Sequence, residues 1–145
     1  MDNLKVSDLT LEDLLPHRGA MLLVKKILEV DASHALTLCT VERSWPMAEN
    51  DGVSPLILIE LAAQTAGVCN GWDRIRAQGI DSEKTGWLVG VKKAEFYIDS
   101  LAYGDNIISS AENTYNFTNL REVSCTQHIN NVLIGTTTLQ LFQAE

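Results

Sequence analysis

The chain is short of positive charge, short of cysteine and without a long apolar run, and each shortage removes a class of function. Only 11 Lys and Arg stand against 19 Asp and Glu, a formal net charge of −8. Nucleic-acid binding normally needs a broad positive field, so no DNA or RNA partner is expected. Cys39, Cys69 and Cys125 are odd in number, share no short metal-ligand spacing and lie among apolar or strand-forming neighbours. They read as buried free thiols, and neither a metal nor a cofactor is called for. The longest apolar run, Leu56 to Val68, is broken by Glu60 and Gln64 and is too short and too polar to cross a bilayer. Asp2, Asp8, Glu12, Asp13, His17 and Arg18 interrupt the apolar stretch that a secretory signal needs, so a cytoplasmic location without membrane attachment is expected.

What is present is ordinary for a globular core: 145 residues, 46% hydrophobic and 21% charged. With no repeat, low-complexity segment or linker, residues 1–145 are expected to form one domain. Thr10 and Asp13 have capping-box spacing, predicting a short helix from Leu11 to Leu15 that stops before Pro16. Met21–Val30 and His34–Glu42 read as two antiparallel strands about an Asp31-Ala32-Ser33 turn. Trp45–Val53 is a loop, after which Ser54 as N-cap and Pro55 in the first position start the only long helix, closed near Gln78 by Gly79. Its first turns are apolar on nearly every side, as expected of a helix enclosed by a curved sheet. Strand patterns then cover Trp87–Ile98, Asn106–Phe117, Glu122–Ile129 and Val132–Phe142, with Asn130-Asn131 suited to a two-residue turn. The layout is α+β: one central helix wrapped by about six antiparallel strands.

Glu60 stands inside that apolar helix, and Gln64 follows on the same stripe. A buried carboxylate without a partner is costly and normally responds with a raised pKa, which suits general acid or base work near neutral pH. Glu60 is therefore the candidate proton-transfer group, with Gln64 expected to orient it. The bland alternative is an ion pair with a basic residue of the sheet, or access to water at a dimer seam. The backbone N–H groups of Gly52, Val53 and the first helical turn are candidates to polarise a thioester carbonyl.

Three segments resemble one family. Leu15-Pro16-His17-Arg18-Gly19-Ala20-Met21-Leu22-Leu23-Val24, then Ile59-Glu60-Leu61-Ala62-Ala63-Gln64, then Val89-Gly90-Val91-Lys92-Lys93-Ala94-Glu95-Phe96 with Gly104-Asp105, are similar to segments of the 3-hydroxyacyl-acyl-carrier-protein dehydratases. Gly52-Val53, Glu60 and Gly71-Trp72 also fit the stand-alone dehydratases associated with aryl polyene biosynthesis. The resemblance implies a hotdog fold and dehydration of 3-hydroxyacyl thioesters. It implies Glu60 as catalytic carboxylate and Gly52, Val53 and Gly90 against the substrate. It also implies an acyl carrier protein or coenzyme A thioester as partner, and a homodimer or higher oligomer with acyl tunnels at its seam. The chain departs from the family at Arg43-Ser44-Trp45-Pro46, where the fatty-acid enzymes carry a catalytic histidine in Gly-His-Phe-Pro. His17 is the candidate replacement, while His34 and His128 read as packing or surface residues. Acyl thioesterase activity, or acyl-thioester binding without catalysis, are the competing functions. Lys25, Lys26, Arg43, Lys92 and Lys93 are the candidates for contact with an acidic carrier.

Overall fold

The computed structural model describes residues 5–82, 86–117 and 120–143. Helix α1 (Leu11–Leu14) begins at Thr10, whose hydroxyl accepts from the Asp13 N–H at 3.2 Å while the Asp13 carboxylate accepts from the Thr10 N–H at 2.8 Å. Both bonds of the expected capping box are thus made. There follow β1 (Lys26–Val30), β2 (His34–Thr40), α2 (Ile57–Gln78), β3 (Gly86–Phe96), β4 (Asn106–Phe117), β5 (Leu120–Ile129) and β6 (Val132–Gln143). The six strands form one antiparallel sheet in the order β1-β2-β4-β5-β6-β3. Asn130 and Asn131 turn β5 into β6 with φ of 50° and 66°, the left-handed pair that a two-residue hairpin requires.

Several expected boundaries move by a residue or two, and the starts of α2 and β1 move for clear local reasons. Helix α2 starts at Ile57 rather than Pro55, because Ile57 donates to Ser54 and Leu58 to Pro55 in tight i, i+3 bonds that precede the regular helix. Strand β1 starts at Lys26 rather than Met21. Gly19–Met21 forms a 3₁₀ turn, and the Leu23 and Val24 N–H groups bond to a helix side chain instead of a strand.

Helix α2 lies along one face of the sheet. Near its start Ile57, Leu58 and Leu61 pack on Cys39, Ile107 and Ile134 of the sheet and on Trp45, Val53 and Leu101 of the loops. In its middle Ala62 and Ala66 meet Ala111, Val123, Cys125 and Leu139, where short side chains let helix and sheet approach closely. Towards its end Val68, Cys69, Trp72 and Ile75 cover Leu14, Leu15 and Ala35. Each fully buried leucine here contributes roughly 1.5–3 kcal/mol of burial. A polar band crosses the same interface. Thr65 Oγ1 lies 2.9 Å from the Leu61 carbonyl, 3.0 Å from Thr37 Oγ1 and 2.9 Å from Ser109 Oγ, and Gln127 Nε2 donates to Ser109 at 3.3 Å.

The helix is not enclosed all round. Leu56 is 52% exposed, and Ile59, Glu60, Ala63 and Gly67 are only partly buried. Their spacing of three and four residues makes one stripe of the helix surface, which the sheet leaves uncovered. Among the described residues no helix is long and apolar enough to cross a membrane.

All three cysteines are buried and unpaired. Burial pushes each thiol up to about 12. The thiolate is the reactive form, so iodoacetamide at pH 8 should label none of the three in the native protein and all of them in denaturant. Native-state labelling of any one, detected by intact mass, would contradict this packing.

Candidate active site

The N-terminal segment runs against one stripe of α2, and the stripe's residues explain the fit. The backbone of Leu14 crosses Gly71 so closely that a Cβ there would stand 2.6 Å from the Leu14 carbonyl oxygen. The Leu15 side chain packs on Gly67, where a Cβ would meet its Cδ2 at 2.7 Å. Two glycines thus seat the chain on the helix. Further along, the fully buried Gln64 side chain accepts from the Leu23 N–H at 2.8 Å and the Val24 N–H at 3.4 Å, and donates to the Met21 carbonyl at 2.7 Å. Arg18 closes the turn between these anchors by donating to the carbonyls of Leu15 and His17 at 2.8 Å each and of Glu12 at 3.3 Å. The stripe 60, 64, 67, 71 steps by four, three and four residues, one face of a helix.

This path brings His17 to Glu60. His17 Nε2 stands 3.3 Å from Glu60 Oε1, with side chains 25% and 34% exposed. The two residues come from α2 and from the short connection between α1 and the 3₁₀ turn at Gly19–Met21. Partial access fits a proton-transfer pair, and catalytic contacts in unliganded sites are often long until substrate tightens them. Glu60 is half-buried rather than fully buried, because it lies on the stripe left open by the sheet. Among the described residues it makes no pair with Lys or Arg.

The other sequence-predicted residues are placed differently. Gln64 holds backbone of residues 21–24 rather than the carboxylate of Glu60. The Val53 N–H is unavailable to a substrate carbonyl, since it donates to Leu101 at 2.9 Å in a bridge that Leu101 N–H returns. Gly52 is buried against the same strap: a Cβ would stand 2.4 Å from the Leu101 carbonyl oxygen, so the close approach there requires glycine. Gly52 and Val53 line a cavity of about 620 Å³ together with Glu49, Asp51, Ser54 and Asp99. His17 and Glu60 are not among its lining residues, and its carboxylates make it a poor seat for an anionic thioester. Gly90 lies on β3 opposite Gln140 at a bulge, and a Cβ there would meet the Gln140 side chain at an ordinary 3.6 Å. Trp45 sits in the core beside Leu23, Val24 and Val53, 4% exposed, so the segment that lost the family histidine has become a packing element. Arg18 is the residue that sequence reasoning passed over, and its place between His17 and Gly19 was the available signal.

A profile described as ApeP-like, ApeP dehydratase, matches residues 9–145. The chain belongs to the ApeP-like dehydratases. Its activity class is accordingly that of a dehydratase-type lyase, as the resemblance of the three segments implies. The dehydratase heterocomplex ApeI:P from Xenorhabdus doucetiae matches with a TM-score of 0.85 at 20% identity, over 94% of this chain and 92% of that one. The PaaI protein of the phenylacetic acid degradation operon of E. coli gives 0.63 at 13%, over 81% and 82%. A hypothetical thioesterase with coenzyme A from Streptococcus pneumoniae gives 0.60 at 12%, over 81% and 83%. These likenesses establish the hotdog fold of this ApeP-like chain. A comparison with curated proteins returned no match.

Removing the Gln64 amide leaves two buried N–H donors and a carbonyl without partners, each a loss of order 1–3 kcal/mol. Gln64→Leu should therefore lower unfolding free energy by about 2–4 kcal/mol in a urea titration. A loss inside the error of the titration would show that water or a neighbour replaces the clamp.

Proposed function

We propose that this ApeP-like dehydratase converts 3-hydroxyacyl thioesters, held on an acyl carrier protein or on coenzyme A, to enoyl thioesters in fatty-acid or polyene type biosynthesis. The reaction centre is Glu60, with His17 against it and Gln64 fixing the segment that carries His17. The observation that carries this reading is the 3.3 Å approach of His17 Nε2 to Glu60 Oε1, which restores a histidine–carboxylate pair in a chain whose family histidine position is Ser44. Elimination of water from a 3-hydroxyacyl thioester needs a base for the proton α to the carbonyl and an acid for the departing hydroxyl. A carboxylate held beside a histidine can serve as the one and then the other.

The carrier and the assembly are less constrained by the site. Lys25 and Lys26 are exposed and suit an acidic carrier, whereas Lys92 and Lys93 each hold a carboxylate, Glu122 and Glu95, at 3.0 Å. Arg43 lies 4.3 Å over the Tyr103 ring. The exposed Leu56, the half-buried Ile59 and Ala63, and the sheet-edge strands β1 and β3 support pairing with a second hotdog chain, in a homodimer or with a different dehydratase subunit as in the ApeI:P heterocomplex.

Incubation with a 3-hydroxyacyl thioester, followed by enoyl absorbance, tests the assignment. Glu60→Gln should slow turnover by about 10²–10⁴-fold without changing the circular dichroism spectrum. Full activity in that variant would remove Glu60 from the reaction, and release of free thiol in place of enoyl product would make the chain a thioesterase.

A further inference from the structure

His17 Nδ1 is shut off from solvent and has no hydrogen-bond partner among the described residues, while Nε2 faces Glu60. This asymmetry constrains the proton on the ring. A contact between Nε2 and a carboxylate oxygen is favourable only if one of the two carries a hydrogen. If the hydrogen belonged to the carboxyl group, the neutral imidazole would have its own proton on Nδ1, a buried N–H with no acceptor. An imidazolium would place a donor there as well. The arrangement that leaves no buried donor unpaired has the ring hydrogen on Nε2, 3.3 Å from Oε1 of an ionised Glu60, and a bare Nδ1 inside the protein.

From this we infer that His17 is a positioning residue, that its Nε2–H holds Glu60 Oε1, and that Glu60 alone moves protons. The inference rests on the dehydratase reading above and deepens it. With Nε2 already protonated and Nδ1 buried, the imidazole offers a substrate no lone pair. Glu60 keeps Oε2, for which the described residues provide no partner, on the more exposed of the two side chains. The step then balances on one group. The Glu60 carboxylate takes the proton from Cα, and the C–H electron pair moves towards the thioester carbonyl. That pair returns to form the Cα=Cβ bond, the Cβ–O bond breaks with its electrons on oxygen, and the leaving hydroxide takes the same proton from Glu60. Water departs and Glu60 is ionised again, with no second acid or base consumed. A single carboxylate serving both ends requires the hydrogen and the hydroxyl to leave from one face of the substrate.

Side-chain replacement separates a donor from a base. In the full chain with a 3-hydroxyacyl pantetheine thioester, His17→Gln keeps an N–H able to reach Glu60 and should retain activity within about tenfold of the native protein, whereas His17→Ala should lose about a hundredfold or more. Should His17→Gln be as inactive as His17→Ala while melting like the native protein, His17 is the base and the inference is overturned. A measurement without turnover decides the same point. With only three histidines in the chain, ¹⁵N-histidine spectra compared between native and His17→Gln protein assign the ring, and the expected signal is a neutral imidazole protonated at Nε2. A proton on Nδ1, or on both nitrogens, overturns the inference. Native protein that forms no enoyl product would instead remove the dehydratase reading, while the spectra would still report the ring's protonation.

Discussion

The site depends on backbone groups that have no strand to bond to. From Met21 to Val24, before Lys25 bonds to Leu38 of β2, the chain lies against α2 instead of joining the sheet, so the Met21 carbonyl and the Leu23 and Val24 N–H groups would be left unpaired. One fully buried side chain, Gln64, meets all three. A buried amide with both ends occupied is rigid because any displacement leaves donors or acceptors unmet in a low-dielectric interior. That rigidity fixes where the segment can go, and with Leu14 and Leu15 pressed onto Gly71 and Gly67 the position of His17 has little freedom.

The helix therefore has two jobs on two sides. Towards the sheet it is a core element, with alanines at mid-length and larger side chains at either end. Towards the N-terminal segment it presents acid, amide and two glycines in sequence, each suited to a different backbone or side-chain neighbour. An all-leucine stripe would collide with Leu14 and Leu15 at positions 71 and 67 and would leave the backbone near position 64 without a partner. The departure from the family histidine at Ser44 fits the same division: Trp45 next to it is part of the core, and the imidazole near the carboxylate comes from the N-terminal segment.

Much of this was legible in the sequence where the signal is local. The capping box at Thr10 and Asp13, the glycine closing α2 and the Asn-Asn turn each depend on residues within a few positions, and each formed as expected. The order of elements, and hence the α+β class, followed from those signals. Tertiary choices were not legible. Met21 to Lys25 has strand-like composition, but whether it joins a sheet depends on a glutamine some forty residues away. The Gly52-Val53 pair reads as a free helix-start loop until Leu101 is seen to bond with Val53 in both directions. Glu60 stood out as a charge in an apolar helix and through the resemblance of its motif, whereas its contact with His17 required the path of the intervening chain.

The three sealed thiols bear on what an enzyme with the proposed thioester substrate must avoid. Acyl groups on pantetheine pass readily to any nearby thiolate, and a protein that gathers such esters around itself is exposed to acylation of its own cysteines. Here Cys39, Cys69 and Cys125 are held at about 12 by burial, so at neutral pH almost none is ionised and none is placed to attack. The core that supports the helix thereby also keeps the cargo from being stolen by its handler.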